Sequence, residues 1–185
     1  YVCLATYFGY EDPRIAEAVA WLLDNQLEDG GWNCRSPRFG DRHSSFHTTI
    51  SVLEAFAEIE RSTPPAEVGL AAQRGREFLL AHRLYRSHRT GEVADPVLTR
   101  LSFPPRWHYD LLRGLDHLQA VNAPWDERCQ DAIDLLVSKR RKDGAWPLQH
   151  RHTGRVWLDM EKQGGPSRWN TLRALRVLRW AGVNS

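Results

Sequence analysis

The sequence predicts an all-α fold made of repeated helical hairpins, and three observations predict it. The run Gln26-Leu27-Glu28-Asp29-Gly30-Gly31-Trp32 returns as Arg140-Arg141-Lys142-Asp143-Gly144-Ala145-Trp146, a shift of 114 residues that also pairs Ala18 with Ala132, Val19 with Ile133 and Leu22 with Leu136. Half that shift, 57, pairs Trp21-Leu22-Leu23 with Phe78-Leu79-Leu80. Self-similarity at such a period is the mark of stacked supersecondary units. A second kind of segment repeats independently: Thr49–Phe56, Leu111–Leu118 and Thr171–Leu178 superimpose at shifts of 62 and 60. Finally, no stretch shows the strict apolar/polar alternation of a half-buried strand.

The elements follow in order. Residues 1–9 read as the tail of a helix of the second kind, stopped at Gly9. Asp12-Pro13 starts the next helix, because Asp caps well and Pro suits the first turn. Ile15, Val19 and Leu22 fall on one face of it. A middle copy runs from about Pro65 to Arg83. A third starts at Asp126, with Cys129, Ile133 and Leu136 on the corresponding face. Small residues in the second kind of helix, Gly114 and Ala174, predict close approach of a neighbour. Long connections at 33–45, 84–105 and 147–166 each lead into a helix of the second kind, so they should gather at one end. Loops of that length in compact domains are usually functional or specially packed.

The totals bound the class. A chain of 185 residues with 42% hydrophobic residues reads as a single domain, 1–185, with material for a core. The one Met is Met160, so Tyr1 reads as internal and the chain as the C-terminal fragment of a longer product. No apolar run is long enough to span a bilayer. A net charge of +2 gives no nucleic-acid signature, and the basic run Arg83, Arg86, His88, Arg89 lacks a basic fold motif around it. Lys occurs only at 139, 142 and 162, so Arg supplies 22 of the 25 cations. Three widely spaced cysteines, Cys3, Cys34 and Cys129, point to reduced thiols and a cytoplasmic setting.

The string Trp21-Leu-Leu-x-x-Gln26-x-x-x-Gly30-x-Trp32 resembles the QW motif of squalene–hopene cyclases and related terpene cyclases. That wider group includes the protein prenyltransferase β subunits. The run from Glu161 to Leu175 is similar to bacterial prenyltransferase-repeat proteins. The resemblance implies an α/α toroid of about three and a half hairpins, an incomplete ring. Its outer helices would be 13–27, 66–83 and 126–140, and its inner ones 46–60, 106–121 and 167–181. It implies that the QW tryptophans brace the hairpins. It also implies a pocket for an isoprenoid or another small apolar ligand at the loop end of the inner helices. The catalytic strings of these enzymes, Asp-x-Asp-Asp, Asp-Asp-x-x-Asp and Asp-x-Cys, do not occur in the sequence. An enzyme and a non-catalytic scaffold or protein-binding module therefore both stay open. So does pairing with a second copy or with a preceding segment.

Candidate residues cluster at the starts of the inner helices. Phe46-His47-Thr48, His108-Tyr109-Asp110 and Arg168-Trp169-Asn170 align there and mix polar with aromatic groups, as ligand pockets do. His108 and Asp110 form a candidate acid–base pair, with His47 and Glu161 as further titratable candidates. Asp110 serves equally as a first-turn residue favoured by the helix dipole. Phe46, Trp107, Tyr109, Arg168 and Trp169 are the candidate ligand contacts. Cys34, His43 and His47, beside Asp41, could hold zinc if His43 and His47, four apart, share a helix face. The plainer alternative has His43 before the helix, His47 hydrogen-bonded and Cys34 packed. Arg173, Arg176 and Arg179 with Arg168 could meet a diphosphate or pair with Asp159 and Glu161.

Overall fold

A computed structural model describes residues 1–61 and 65–183. It holds eight α-helices among the described residues and one two-stranded pairing. The all-α expectation therefore stands at that level. The residues fall into two compact units, 1–79 and 80–185.

The first unit contains α1 (Val2–Tyr7), α2 (Pro13–Asp24), α3 (Ser36–Phe39), α4 (Phe46–Glu60) and most of α5 (Ala66–Ala81). Asp12 caps α2 as expected, its carboxylate accepting from the Arg14 N–H at 2.8 Å, with Pro13 in the first turn. That helix ends at Asp24, three residues short of the expected 27, because Leu27 N–H turns to bond the Gly31 carbonyl instead of continuing the helix. α1 packs along α4. The core of the unit gathers Trp32, Ile50, Leu53, Phe56, Val68 and Leu79. Trp32 meets Phe56 edge to face at 5.6 Å. A Cβ at Gly75 would sit 2.8 Å from the Trp32 ring, so only glycine lets α5 come this close.

The second unit contains α6 (Leu111–Ala120), α7 (Gln130–Ser138) and α8 (Arg168–Trp180). β1 (Trp146–Pro147) pairs antiparallel with β2 (Pro166–Ser167), a pairing the sequence does not announce. α6 packs along α8. A short 3-10 turn, Glu127–Cys129, capped by Asp126, leads into α7. α6 begins at Leu111 rather than 106, because Asp110 is its cap and takes the Arg113 N–H at 2.9 Å. His108, Tyr109 and Asp110 thus precede the helix. A Cβ at Gly114 would lie 2.3 Å from the Tyr109 hydroxyl, which explains the small residue there.

The two Gly-x-Trp copies build one turn twice. Leu27 N–H donates to Gly31 O and Arg141 N–H to Ala145 O, both at 2.9 Å. Gly30 and Gly144 donate to Leu27 O and Arg141 O, both at 3.0 Å, with φ of 93° and 83°. Trp32 N–H donates to Thr49 Oγ1 at 3.0 Å and Trp146 N–H to Thr171 Oγ1 at 2.9 Å. The two indole N–H groups donate to Leu22 O and Leu136 O, each at 2.7 Å. Each turn therefore locks the end of one helix to the first turn of the next. Gln26 adds bonds to Gly30 O and Ala71 O in the first copy. The middle copy solves the same problem differently. Arg83 and Leu84 take left-handed φ of 42° and 69°, and Tyr109 donates to Leu84 O at 2.7 Å.

Candidate functional site

In the second unit the connection 147–166 leaves and returns through the β1/β2 pair, and both ends are pinned. Leu148 N–H donates to Gly165 O at 2.9 Å and Gly164 N–H to Leu148 O at 2.7 Å. Gln149 and His150 N–H both donate to Leu101 O, tying the loop to the 101–110 segment. Arg106 reaches across to the Thr153 carbonyl at 3.0 Å. Loop and segment enclose a cleft of about 210 Å³. Phe103, Val156, Trp157, Leu158 and Met160 supply apolar walls, and Arg106, Arg151, His152, Asp159 and Glu161 the polar groups. Arg151 is matched by Asp159 at 2.9 Å.

Glu161 is the most constrained carboxylate of this cleft. Its side chain is only 6% exposed. Oε1 accepts the Arg168 N–H at the start of α8, 2.8 Å away. Oε2 is buried without a hydrogen-bond partner. His152 is likewise buried, with Nε2 unpartnered. A buried polar atom left unpaired costs ~1–3 kcal/mol, so each such atom calls for an explanation.

The His152 ring lies flat on His108 at 3.6 Å, and His108 lies on Trp107 at 3.6 Å. His150 stands edge-on to His152 at 4.8 Å. Burial first, then the neighbouring His108 and His150, push the His152 imidazole down to about 4. Burial and the nearby His150, Arg106 and Arg113 lower His108 in the same direction. The imidazole of His152 is neutral at neutral pH, with one nitrogen able to donate and one to accept.

The expected residues divide between the units. Phe46, His47, Cys34 and His43 belong to the first. Phe46 packs on Phe78 at 5.4 Å. His43 lies before α4, which begins at Phe46, so the shared helix face expected of His43 and His47 does not form. No three His, Cys, Asp or Glu side chains among the described residues gather as a metal-binding group. Cys34, His43 and His47 therefore do not fit zinc.

His108, Asp110, Trp107, Tyr109, Glu161, Arg168 and Trp169 belong to the second unit. Asp110 is buried, and its carboxylate fastens structure: Oδ2 accepts Ser102 N–H and Oγ–H at 2.9 and 2.6 Å, Oδ1 the Arg113 N–H. Tyr109 is core, with burial holding its hydroxyl well above the ordinary range. Trp169 is half exposed and stacks on the cleft residue Phe103 at 5.0 Å. Arg173 pairs with Asp116 of α6 at 3.1 Å rather than with a loop acid. Arg168 lies 3.7 Å from Glu161. Arg83 and Arg86 share Asp131, which neutralises part of the basic run. Cys129 is a buried thiol pushed up to about 12, which makes it unreactive.

Of the expected titratable groups, Glu161 is the one that lines the cleft. His152 was missed, although the His150-Arg151-His152 spacing inside a long loop carried a signal. No helix among the described residues is long and apolar enough to cross a membrane. Comparison with family models, curated proteins and solved structures gives no match.

Proposed function

We propose that this chain is an α/α-toroid-type domain of the terpene cyclase and prenyltransferase kind, and that it binds an isoprenoid or another small apolar ligand in the cleft of its second unit. One observation carries the reading: an apolar-walled cleft is lined by Glu161, whose side chain is only 6% exposed, and by the buried His152, each with an unpartnered polar atom. Pockets that place a few polar groups on an apolar wall are the usual form of a small-molecule site. The helix order is in keeping with it. α1 packs on α4, and α6 on α8, so helices of the second kind neighbour each other within each unit. The repeated Gly-x-Trp turn supports the same reading.

The cleft volume of about 210 Å³ lies below the ~300–1,000 Å³ of typical ligand pockets, so the ligand is small or enters in part. Geraniol is the probe. Trp157, 88% exposed on the cleft rim, should report its binding by fluorescence. The reading expects saturable quenching, lost in Met160→Arg, which places a long cation among the apolar walls. Quenching unchanged by that substitution, or none at all, overturns it.

The alternative is a non-catalytic scaffold or protein-binding module. A specific observation favours it: α1 and its flanks leave Tyr1, Leu4, Tyr7 and Phe8 more than 60% exposed, an apolar strip of the kind found at protein contacts.

A further inference from the structure

We propose that the stacked histidines of the second unit form an acid-sensitive clasp: neutral, they hold the loop 147–166 against the 101–110 segment, and protonated, they part and let the loop swing off the cleft. The clasp stands on the ring geometry. That its opening admits a ligand rests on the cleft being a pocket.

Three observations carry it. First, the rings join the two stretches of chain that wall the cleft. His152 belongs to the loop and His108 to the segment, and their rings lie within 4° of parallel with centroids 3.6 Å apart. Trp107 backs His108 at 3.6 Å, and His150 stands edge-on to His152 at 4.8 Å. Neutral imidazoles can stack as flat aromatic rings do. Two imidazolium rings at this distance repel each other.

Second, the surroundings oppose even one added proton. Arg106 on the segment, Arg113 on α6 and His150 on the loop face the stacked pair. Asp110 is the carboxylate that favours a proton on His152, and its oxygens are already committed to the Ser102 N–H and hydroxyl and to the Arg113 N–H. Burial first, then His108 and His150, hold the closed His152 down at about 4, against 6.5 for a free imidazole. An open loop returns the ring to water. Opening therefore takes up a proton and is favoured as pH falls from 6.5 towards 4. Between pH 7.5 and 4.5 the open fraction can rise by roughly fiftyfold through His152 alone, with His108 acting in the same direction.

Third, the rings sit where the loop is lightly fastened. Gln149 and His150 N–H share one acceptor, Leu101 O. Arg106 reaches the Thr153 carbonyl at 3.0 Å. The Arg151–Asp159 pair and the Arg155 guanidinium over the Trp157 ring lie within the loop and do not tie it to the segment. Val156, Trp157 and Leu158, the loop's apolar wall of the cleft, follow directly after these fastenings.

The test is hydrogen exchange read amide by amide by NMR on the unmodified chain at pH 7.5 and 4.5, with each rate divided by that of a free amide at the same pH. Between the two pH values the Gln149 and His150 amides should lose at least tenfold in protection. At pH 4.5 they should be at least tenfold less protected than the amides of α6 and α8, which marks a local opening. Unchanged protection at 149 and 150 overturns the clasp. So does protection equal to that of α6 and α8 at both pH values, which makes the opening global. In His152→Phe a flat ring stays on His108 without a nitrogen to protonate, and the pH effect should shrink several-fold. An undiminished effect overturns the assignment to His152. The comparison on the unmodified chain needs no variant, so misfolding of His152→Phe cannot rescue the proposal. The ligand role is read separately, from the rate at which geraniol quenches Trp157. Quenching should set in faster at pH 4.5, and equal rates overturn that role. A loop that opens while geraniol binds at neither pH takes away the pocket reading and leaves the clasp.

Discussion

The turns at 27–32 and 141–146 are nearly the same object, and the loops that follow them are not. Both turns use a left-handed glycine, a buried tryptophan and a threonine from the next helix, with matching bonds within 0.1 Å of each other. After the first turn the loop, 33–45, is the shorter of the two and is tied down. Asp29 receives both the N–H and the hydroxyl of Ser44, and Asn33 donates to the His43 carbonyl. After the second turn the loop is longer, is tied at its base and again to the 101–110 segment, and lines with that segment a cleft whose residues Glu161 and His152 each hold an unpartnered polar atom. A repeated frame with divergent loops concentrates function where the loop's own polar groups are left unsatisfied.

The largest effect should come from the tryptophans. Trp32→Ala and Trp146→Ala each remove a fully buried ring and orphan a main-chain carbonyl, so each should cost ~3–5 kcal/mol in denaturant unfolding. Similar losses would support equivalence of the two turns. A loss several-fold smaller at one of them would break it.

The glycines sharpen the comparison by separating the copies. At Gly30 an added Cβ would lie 2.6 Å from the Arg74 carbonyl oxygen, a backbone atom. At Gly144 the nearest atom is the flexible Arg140 guanidinium at 3.7 Å. Both carry the left-handed penalty of ~1–2 kcal/mol. Gly144→Ala should therefore lose about that much and Gly30→Ala distinctly more. Equal midpoint shifts would mean that the neighbour at Gly30 yields freely.

The pH dependence should belong to the second loop. His152 is held neutral, its folded value about 4 against 6.5 for a free imidazole. Between those values the unfolded chain binds the extra proton, so stability should rise with pH and fall as pH drops from 6.5 towards 4. The loss should be ~2 kcal/mol or less, with His108 acting in the same direction. Melting of the unmodified chain and of His152→Asn across this window checks it. The variant should lose most of the slope, and an unchanged slope would place the titration elsewhere.

Much of the frame was legible because it is written in local chemistry. Asp12-Pro13 reads as a helix start, and the Asp-Gly-x-Trp spacing reads as a repeated turn. Gly114 announced a close neighbour, which proved to be the Tyr109 ring. The zinc set was misread because a four-residue spacing means a shared face only inside a helix, and α4 starts after His43. Asp110 looked like an acid–base partner, yet a residue just before a helix is also the natural acceptor for its free N–H groups, and that role prevails.

By itself, the sequence determined the helical character, the order of two helix kinds and the positions of the braced turns, since periodicity, capping and turn residues act over a few neighbours. Only the tertiary structure decided which polar groups are left without partners. Glu161 and His152 look no different in sequence from Asp110 and Arg173. What separates Asp110 from the others is whether folding supplies partners: Ser102 and Arg113 hold both Asp110 oxygens, whereas Arg173 is held by Asp116 at Nε with Nη1 left open, and Glu161 Oε2 and His152 Nε2 have none. Hydrogen-bond satisfaction depends on groups distant in the chain, and no local pattern encodes it.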